Sequence, residues 1–370
     1  MGDVVAQQVR FWNPPREFAA LSSEIMSTIE GVLRSGDLVM RHQMEDFERN
    51  FAAFVGRRES VSMSNCTDAL RLTLEALGIG PGDEVVTVAH TFVATVAAIH
   101  HVGATPVLVD VGQDHNLDVG LLEPALTPRT KAIIPVHLNG RLCEMDRLMT
   151  LANARGIPVV EDAAQSLGAT FQGVAGGCWG VAGTFSFYPA KMLGALGDGG
   201  AIVTDDAGLA QRLRELRDHG RRSKTELSGW GWNCRLDNVQ AAILDLKLQH
   251  LPGWIERRRR LAEIYNEELT GIAGLRLPPA PDGGPHFDVY QNYVIESDDR
   301  DRLVQHLANN GIETLVSWPV PMHHQPLGLN HFSLPNTETL ARRVLSLPMH
   351  NVLEEDEATR VADAVRAFAS

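Results

Sequence analysis

The spacing of apolar side chains changes character several times along the chain. Met44, Phe47, Phe51 and Phe54 recur at three- and four-residue intervals and stop at Gly56, which predicts an amphipathic helix. Residues 59–78 read as a strand, a polar turn and a helix that starts at Thr67 and Asp68 and ends at Gly78. From Asp83 the order becomes regular. Apolar runs at residues 84–90, 104–111, 131–138 and 157–164 predict strands, with helical stretches at residues 91–101 and 146–154 between them. Residues 184–187 and 200–206 add two strands, and residues 209–218 a helix. Apolar runs alternating with helices indicate βαβ units around a mostly parallel sheet buried on both faces.

A helical stretch over residues 235–269, broken near Pro252 and Gly253, leads into a second unit. There residues 288–297 and 311–318 read as strands and residues 299–309 and 354–369 as helices, while residues 275–286, rich in proline and glycine, read as a loop. The first fifteen residues, with Phe11, Trp12, Pro14 and Pro15, read as an irregular arm that lies over a partner subunit. The expected division is an arm at 1–15, a large domain at 16–250 and a smaller C-terminal α+β domain at 251–370.

Composition narrows the function. With 370 residues, 44% hydrophobic and 21% charged, the chain is globular and long enough for two domains. A net charge of −13 argues against nucleic acid as a partner, because phosphate neutralisation needs a basic face. The basic run at residues 257–260 reads as a solvated helix face. There is no stretch of about twenty apolar residues and no signal-peptide pattern, so no membrane partner and a cytoplasmic location are expected. Cys66, Cys143, Cys178 and Cys234 are scattered, as reduced thiols would be. The pairs His100-His101 and His323-His324 do not place two imidazoles on one helical face, and no carboxylate-rich cluster accompanies them, so no metal is expected. The glycines of residues 176–183 lack the strand-then-helix context of a dinucleotide site.

The candidate chemistry sits at strand ends, where an open α/β sheet keeps its ligands. Lys191 follows the strand at 184–187 and precedes a glycine-punctuated loop, and Ser186, five residues earlier, is placed to hold a phosphate. Asp162 closes the apolar run at 157–164. A carboxylate there is costly unless paired, either by capping the next segment or by meeting a bound cation. A pyridinium nitrogen is such a cation, and Gln165 is placed to bond the hydroxyl of the same ring. Thr67 stands at a helix start, an anion site, and Phe92 follows a strand end, where it either packs in the core or stacks on a planar ring.

With these residues in order, SNCTDAL, AHTFVAT, PVHLNG, VVEDAAQSLGA, SFYPAKMLGALGDGG, GWNCRLDNVQAAIL and SLPMH together resemble the DegT/StrS family of nucleotide-sugar aminotransferases, from Met44 to the C-terminal helix. The resemblance implies a three-layer α/β fold of the pyridoxal-phosphate-dependent transferase type, with a smaller α+β domain. It implies that Lys191 forms the Schiff base with pyridoxal 5′-phosphate and that Asp162 meets the pyridinium nitrogen. Gln165 then meets the ring oxygen, Phe92 covers the ring, and Cys66, Thr67 and Ser186 hold the phosphate. Asn233 is implied as a phosphate ligand from the neighbouring subunit, which makes the active site a property of a homodimer. Arg221, Arg222 and Lys224 are candidates for the nucleotide's charges, while His137 and Asn139 lie at another strand end without an assigned role.

The implied reaction moves an amino group from an amino acid, L-glutamate, through pyridoxamine 5′-phosphate to a keto group of a nucleotide-linked sugar. Alternatives are amination of a keto-cyclitol, a dehydration on the same scaffold, or a non-catalytic regulator. Two positions depart from the family pattern. Cys66 stands where glycine is common, so its contact there runs through the backbone amide, and Met192 stands where asparagine is common. Lys191 itself separates the chain from the dehydratase branch, which carries histidine there.

Overall fold

The computed structural model describes residues 8–281 and 284–369. Seven strands line up in the order Thr105–Val109, Glu84–Val88, Thr130–Ile133, Val160–Asp162, Ala182–Ser186, Gly200–Thr204 and Glu59–Met63. Single parallel bridges from Ile133 to Val159 and from Val136 to Asp162 join the two halves. Neighbours are parallel except at Gly200–Thr204, which runs antiparallel to both flanking strands. Glu84–Val88 and Gly200–Thr204 are buried along their whole length, as apolar runs with no polar alternation require.

The prolines that read as irregular are the start signal of a helix. Pro14–Ser35 opens with Pro14 and Pro15 in its first turn, where a missing N–H costs nothing. The Asn13 side chain accepts the Arg16 N–H at 3.3 Å, and Gly36 closes the helix at φ 74°. Residues 1–7 of the expected arm lie outside the described residues.

A second sheet of Leu275–Arg276, Tyr293–Ser297 and Val344–Leu347 is antiparallel throughout. Residues 311–318, expected as a strand, contribute only the isolated bridges Val9 to Ile312 and Leu315 to Ser346, and Val344–Leu347 takes the place beside Tyr293–Ser297. The helix Leu251–Leu269 belongs to both halves of the molecule. Leu251 and Ile255 pack in the core under the large sheet, while Leu261, Ile264, Tyr265 and Leu269 pack with Val9, Leu303 and Val361 in the other.

The basic run on that helix is a solvated face only in part: Arg260 is exposed, but Arg258 and Arg259 turn inward. Arg258 is buried and donates to the carbonyls of Tyr290, Gln291 and Met349, each at 3.1 Å, and to Asn351 Oδ1 at 2.9 Å. Arg259 donates to Asp288 O at 2.8 Å and Pro281 O at 2.7 Å. Burial pushes the Arg258 guanidinium down to about 10, with Glu17 opposing the shift. Sequence spacing showed the charges but not the carbonyls that converge on them from residues 281–349.

Candidate active site

Strand register brings the predicted residues to one edge of the sheet. Ser186 and Met63 both pair with Gly200, so Ser186 lies two strands, about 10 Å, from the residue that leads into the Asn65–Cys66 turn. Gly200 is fixed by that closeness, since a Cβ there would meet Asn65 C at 2.5 Å and Cys66 N at 2.8 Å. Asn65 caps the helix Cys66–Ala76 by accepting the Asp68 N–H at 2.8 Å. The next amides face the sheet edge without helical partners, a ready anion site. The Thr67 hydroxyl makes no hydrogen bond among the described residues, and Ser186 Oγ accepts the Tyr188 N–H at 3.3 Å.

Asp162 pairs in register with Thr184 and is buried. Its Oδ2 accepts from Thr95 Oγ1 at 2.8 Å, and its Oδ1 from the Ala164 N–H at 3.2 Å. Thr95 is bonded to Thr91 at 2.8 Å, next to Phe92, so the aspartate is tied to the turn that carries the aromatic. Phe92 is 59% exposed, which excludes core packing and leaves its ring open to a planar ligand.

Lys191 is electrostatically coupled to Asp162 and Cys66 and forms no ion pair among the described residues. Burial pushes its ammonium down and outweighs the pull of Asp162. Burial also pushes the Cys66 thiol up, helped by Asp162, so it stays a neutral thiol near pH 7 and places no charge beside the lysine. For Asp162, burial raises the carboxyl above its ordinary value, with Thr95 and Lys191 opposing.

The lysine loop is held from below. Gln291 accepts the Met192 N–H at 2.9 Å and donates to Ala190 O at 3.1 Å, gripping the chain on both sides of Lys191. Asn351, fixed by Arg258, donates to Met192 O at 3.1 Å. Gly194 is required, because a Cβ would stand 2.3 Å from Pro189 O.

Gln165 is oriented by two asparagines. Its Oε1 accepts the Asn139 N–H at 2.9 Å and the Asn292 side chain at 3.4 Å, which leaves its NH2 as the available donor. His137 has a structural place. It accepts the Cys143 N–H on Nδ1 at 3.2 Å and so donates from Nε2 to Glu161 at 3.0 Å. Glu161, fully buried behind Asp162, also accepts the N–H groups of Gly177, Trp179 and Gly180 at 2.7–2.8 Å. The glycines of residues 176–183 therefore wrap a carboxylate of the protein itself. Gln291 and Asn292 were not found from sequence, since no local motif marks them, and Glu161 and Arg258, though inside a quoted motif and the basic run, were given no such role.

Asn233 is exposed and forms no side-chain hydrogen bond with this cluster. It sits in the segment 219–234, tied back through an Asp218–Asn233 bridge. Of the three nucleotide candidates, Arg222 pairs with Glu215 at 3.2 Å and Arg221 reaches Asp218 at 3.9 Å, while Lys224 is exposed and has no ion pair among the described residues.

An amine with no ion pair among the described residues, a buried carboxylate and a helix N-terminus at one sheet edge fit pyridoxal 5′-phosphate, as in a pyridoxal-phosphate-dependent transferase. The chain belongs to the DegT/DnrJ/EryC1/StrS aminotransferase family, whose profile matches residues 19–366. It is 44% identical over 98% of its length, and 96% of the relative's, to a dTDP-3-amino-3,4,6-trideoxy-alpha-D-glucose transaminase of Streptomyces venezuelae. It is 42% identical to a UDP-N-acetyl-3-dehydro-alpha-D-glucosamine 3-aminotransferase of Acidithiobacillus ferrooxidans, over 94% of this chain and 95% of that one. The crystal structure of S. venezuelae DesV in complex with a ketimine intermediate superposes with a TM-score of 0.95 at 43% identity, covering 99% of both chains.

The raised Asp162 carboxyl has a testable sign. A folded-state value above the unfolded one favours folding below the unfolded value, and that contribution is lost as pH rises through the folded value. Asp162→Asn is therefore expected to leave the cofactor-free protein at least as stable as the parent at pH 7, while weakening its hold on pyridoxal phosphate. Thermal unfolding with and without cofactor checks both, and a cofactor-free variant clearly less stable than the parent would overturn this account.

Proposed function

We propose that this aminotransferase moves an amino group from L-glutamate to the 3-keto group of a nucleotide-linked sugar, within the cytoplasm. The reading is carried by Lys191, half-buried, and Asp162, buried, which act on each other at the carboxyl edge of the sheet. The choice of C3 is supported by the two relatives above, whose names carry a 3-amino or a 3-dehydro sugar, one on dTDP and one on UDP.

Bound pyridoxal phosphate supplies an electron sink beside the donor's Cα. The chain's residues supply the rest. Lys191 Nζ takes the Cα proton from the amino donor and, in the second half of the cycle, delivers a proton to the former keto carbon of the sugar. Burial lowers its ammonium and so makes the neutral amine available closer to neutral pH. Asp162 holds the proton on the ring nitrogen, and the Gln165 NH2 meets the ring oxygen. Ser186, Thr67 and the Cys66 amide hold the phosphate, and Phe92 covers the ring.

A second copy of the chain supplies Asn233 in this reading. Support comes from the exposed apolar surface: Trp230, three residues from Asn233, is 95% exposed. Phe18, Met26 and Leu33 are also exposed and recur along one face of the helix Pro14–Ser35.

Incubation of the holoenzyme with glutamate and a panel of nucleotide-linked 3-keto and 4-keto sugars tests the proposal by mass spectrometry. A new amino sugar from a 3-keto substrate, with 2-oxoglutarate, is expected, and no turnover of any 3-keto sugar would sink it. Mixed Lys191→Ala and Asn233→Ala chains are expected to regain activity that neither has alone, and no regain would remove the shared site.

A further inference from the structure

The pair His323-His324, which lacks a carboxylate in its own stretch of sequence, acquires one in the fold. Pro321 leads into a single turn, Met322–His324, that points His323 inward at 0% relative exposure and leaves His324 half-exposed. The helix Pro335–Arg343 is clamped to the large domain by Asp110. That carboxylate accepts the N–H groups of Asn336 at 2.8 Å and Thr337 at 2.9 Å and the Thr337 hydroxyl at 2.7 Å. The clamp turns Glu338 back towards the histidines. Its Oε1 lies 3.2 Å from His323 Nε2 and 3.9 Å from His324 Nε2, and one ligand atom from each of the three residues lies within 4.8 Å of the others. His323 Nδ1 is buried with no hydrogen-bond partner among the described residues.

We propose that His323, His324 and Glu338 form a binding site for a divalent transition-metal ion of the zinc class. Two imidazoles and one carboxylate suit zinc, cobalt or nickel and do not suit magnesium or calcium, which take oxygen ligands. Ligand bonds of about 2.1 Å set tetrahedral edges near 3.4 Å, so the His323–Glu338 separation fits as it stands. The His324 ring closes the remaining gap by rotating about its exposed side chain. Three protein ligands leave the fourth position to water or to an incoming group, as in open zinc sites.

The ion braces a loop next to the chemistry. Met322, Leu329 and Leu334 pack against Ala89, Val96 and Leu108, on either side of the turn that presents Phe92. The competing account is a histidine–carboxylate hydrogen bond in which Glu338 also accepts the Leu334 N–H at 3.4 Å. His324 has no part in that account, so its removal separates the two.

The test uses the full chain in its cofactor-loaded form, stripped with a chelator and titrated with Zn2+ by calorimetry, with Co2+ visible absorption as a second readout. A single ion per chain is expected, weakened about tenfold or more by His324→Ala and by Glu338→Gln, with cobalt bands lost in both. His101→Ala, on the other histidine pair, serves as the control and is expected to bind as the parent does. Equal zinc affinity in the parent and His324→Ala proteins, or no binding by the parent at submillimolar zinc, overturns the site. His324 is half-exposed, so its alanine variant is expected to fold and the comparison remains interpretable.

Discussion

Lys191→Ala is expected to abolish amino transfer, lowering turnover by at least about four orders of magnitude, and to remove the visible absorption of the lysine-bound cofactor. Both effects follow from one atom. In the proposed reading, Nζ is both the nitrogen that bonds the cofactor and the base that moves the proton. His137, the other basic group that acts on Asp162, cannot replace it: it spends its Nε2 proton on Glu161 and its Nδ1 on the Cys143 amide. The loop is gripped from below through main-chain groups of Ala190 and Met192, so the variant is expected to keep its fold. Stopped-flow absorbance with glutamate, beside circular dichroism, makes the measurement. Residual turnover within a hundredfold of the parent would show that another group carries the proton.

Glu161→Ala is expected to be the most damaging substitution for stability, costing about 3 to 5 kcal/mol. Removal of this carboxylate strands the amides of Gly177, Trp179 and Gly180 and the His137 Nε2–H in a place water does not reach. Glu161→Gln keeps one acceptor oxygen but turns an NH2 group towards Gly177 and His137, and its loss is expected to fall between parent and alanine. Chemical denaturation of the cofactor-free proteins ranks the three. A Glu161→Ala protein as stable as the parent would mean that the loop finds other partners. Because residue 161 precedes Asp162, loss of cofactor affinity is expected to accompany the loss of stability.

The parts of the molecule visible in the sequence are those where one residue's neighbours in the chain already state the physics. Buried strands show as unbroken apolar runs, and a lysine or aspartate at the end of such a run stands out because nothing local explains its charge. Phe92 was ambiguous by the same logic, since an aromatic after a strand reads alike whether it is covered or open. The hidden parts depend on contacts far along the chain. The charge of Arg258 is satisfied by carbonyls at 290, 291 and 349, and that of Glu161 by amides sixteen or more residues away. Gln165 shows its aim only once Asn139 and Asn292 reach its oxygen. The helix at Pro14–Ser35 was missed for a local reason. Two prolines punctuate a chain equally well as a break and as a first turn, and only Asn13 and the open amides behind it decide between them.

The helix Leu251–Leu269 has a consequence for how the enzyme selects what it aminates. It is a single rod embedded in both cores, and midway along it Arg258 fastens the floor under the lysine loop through Asn351. Any swing of the smaller domain as a rigid body would drag that floor and displace the amine from its aspartate. Under the proposed function, discrimination among sugars is expected to fall to the loops that lie over the sheet edge, which can reshape without moving Lys191.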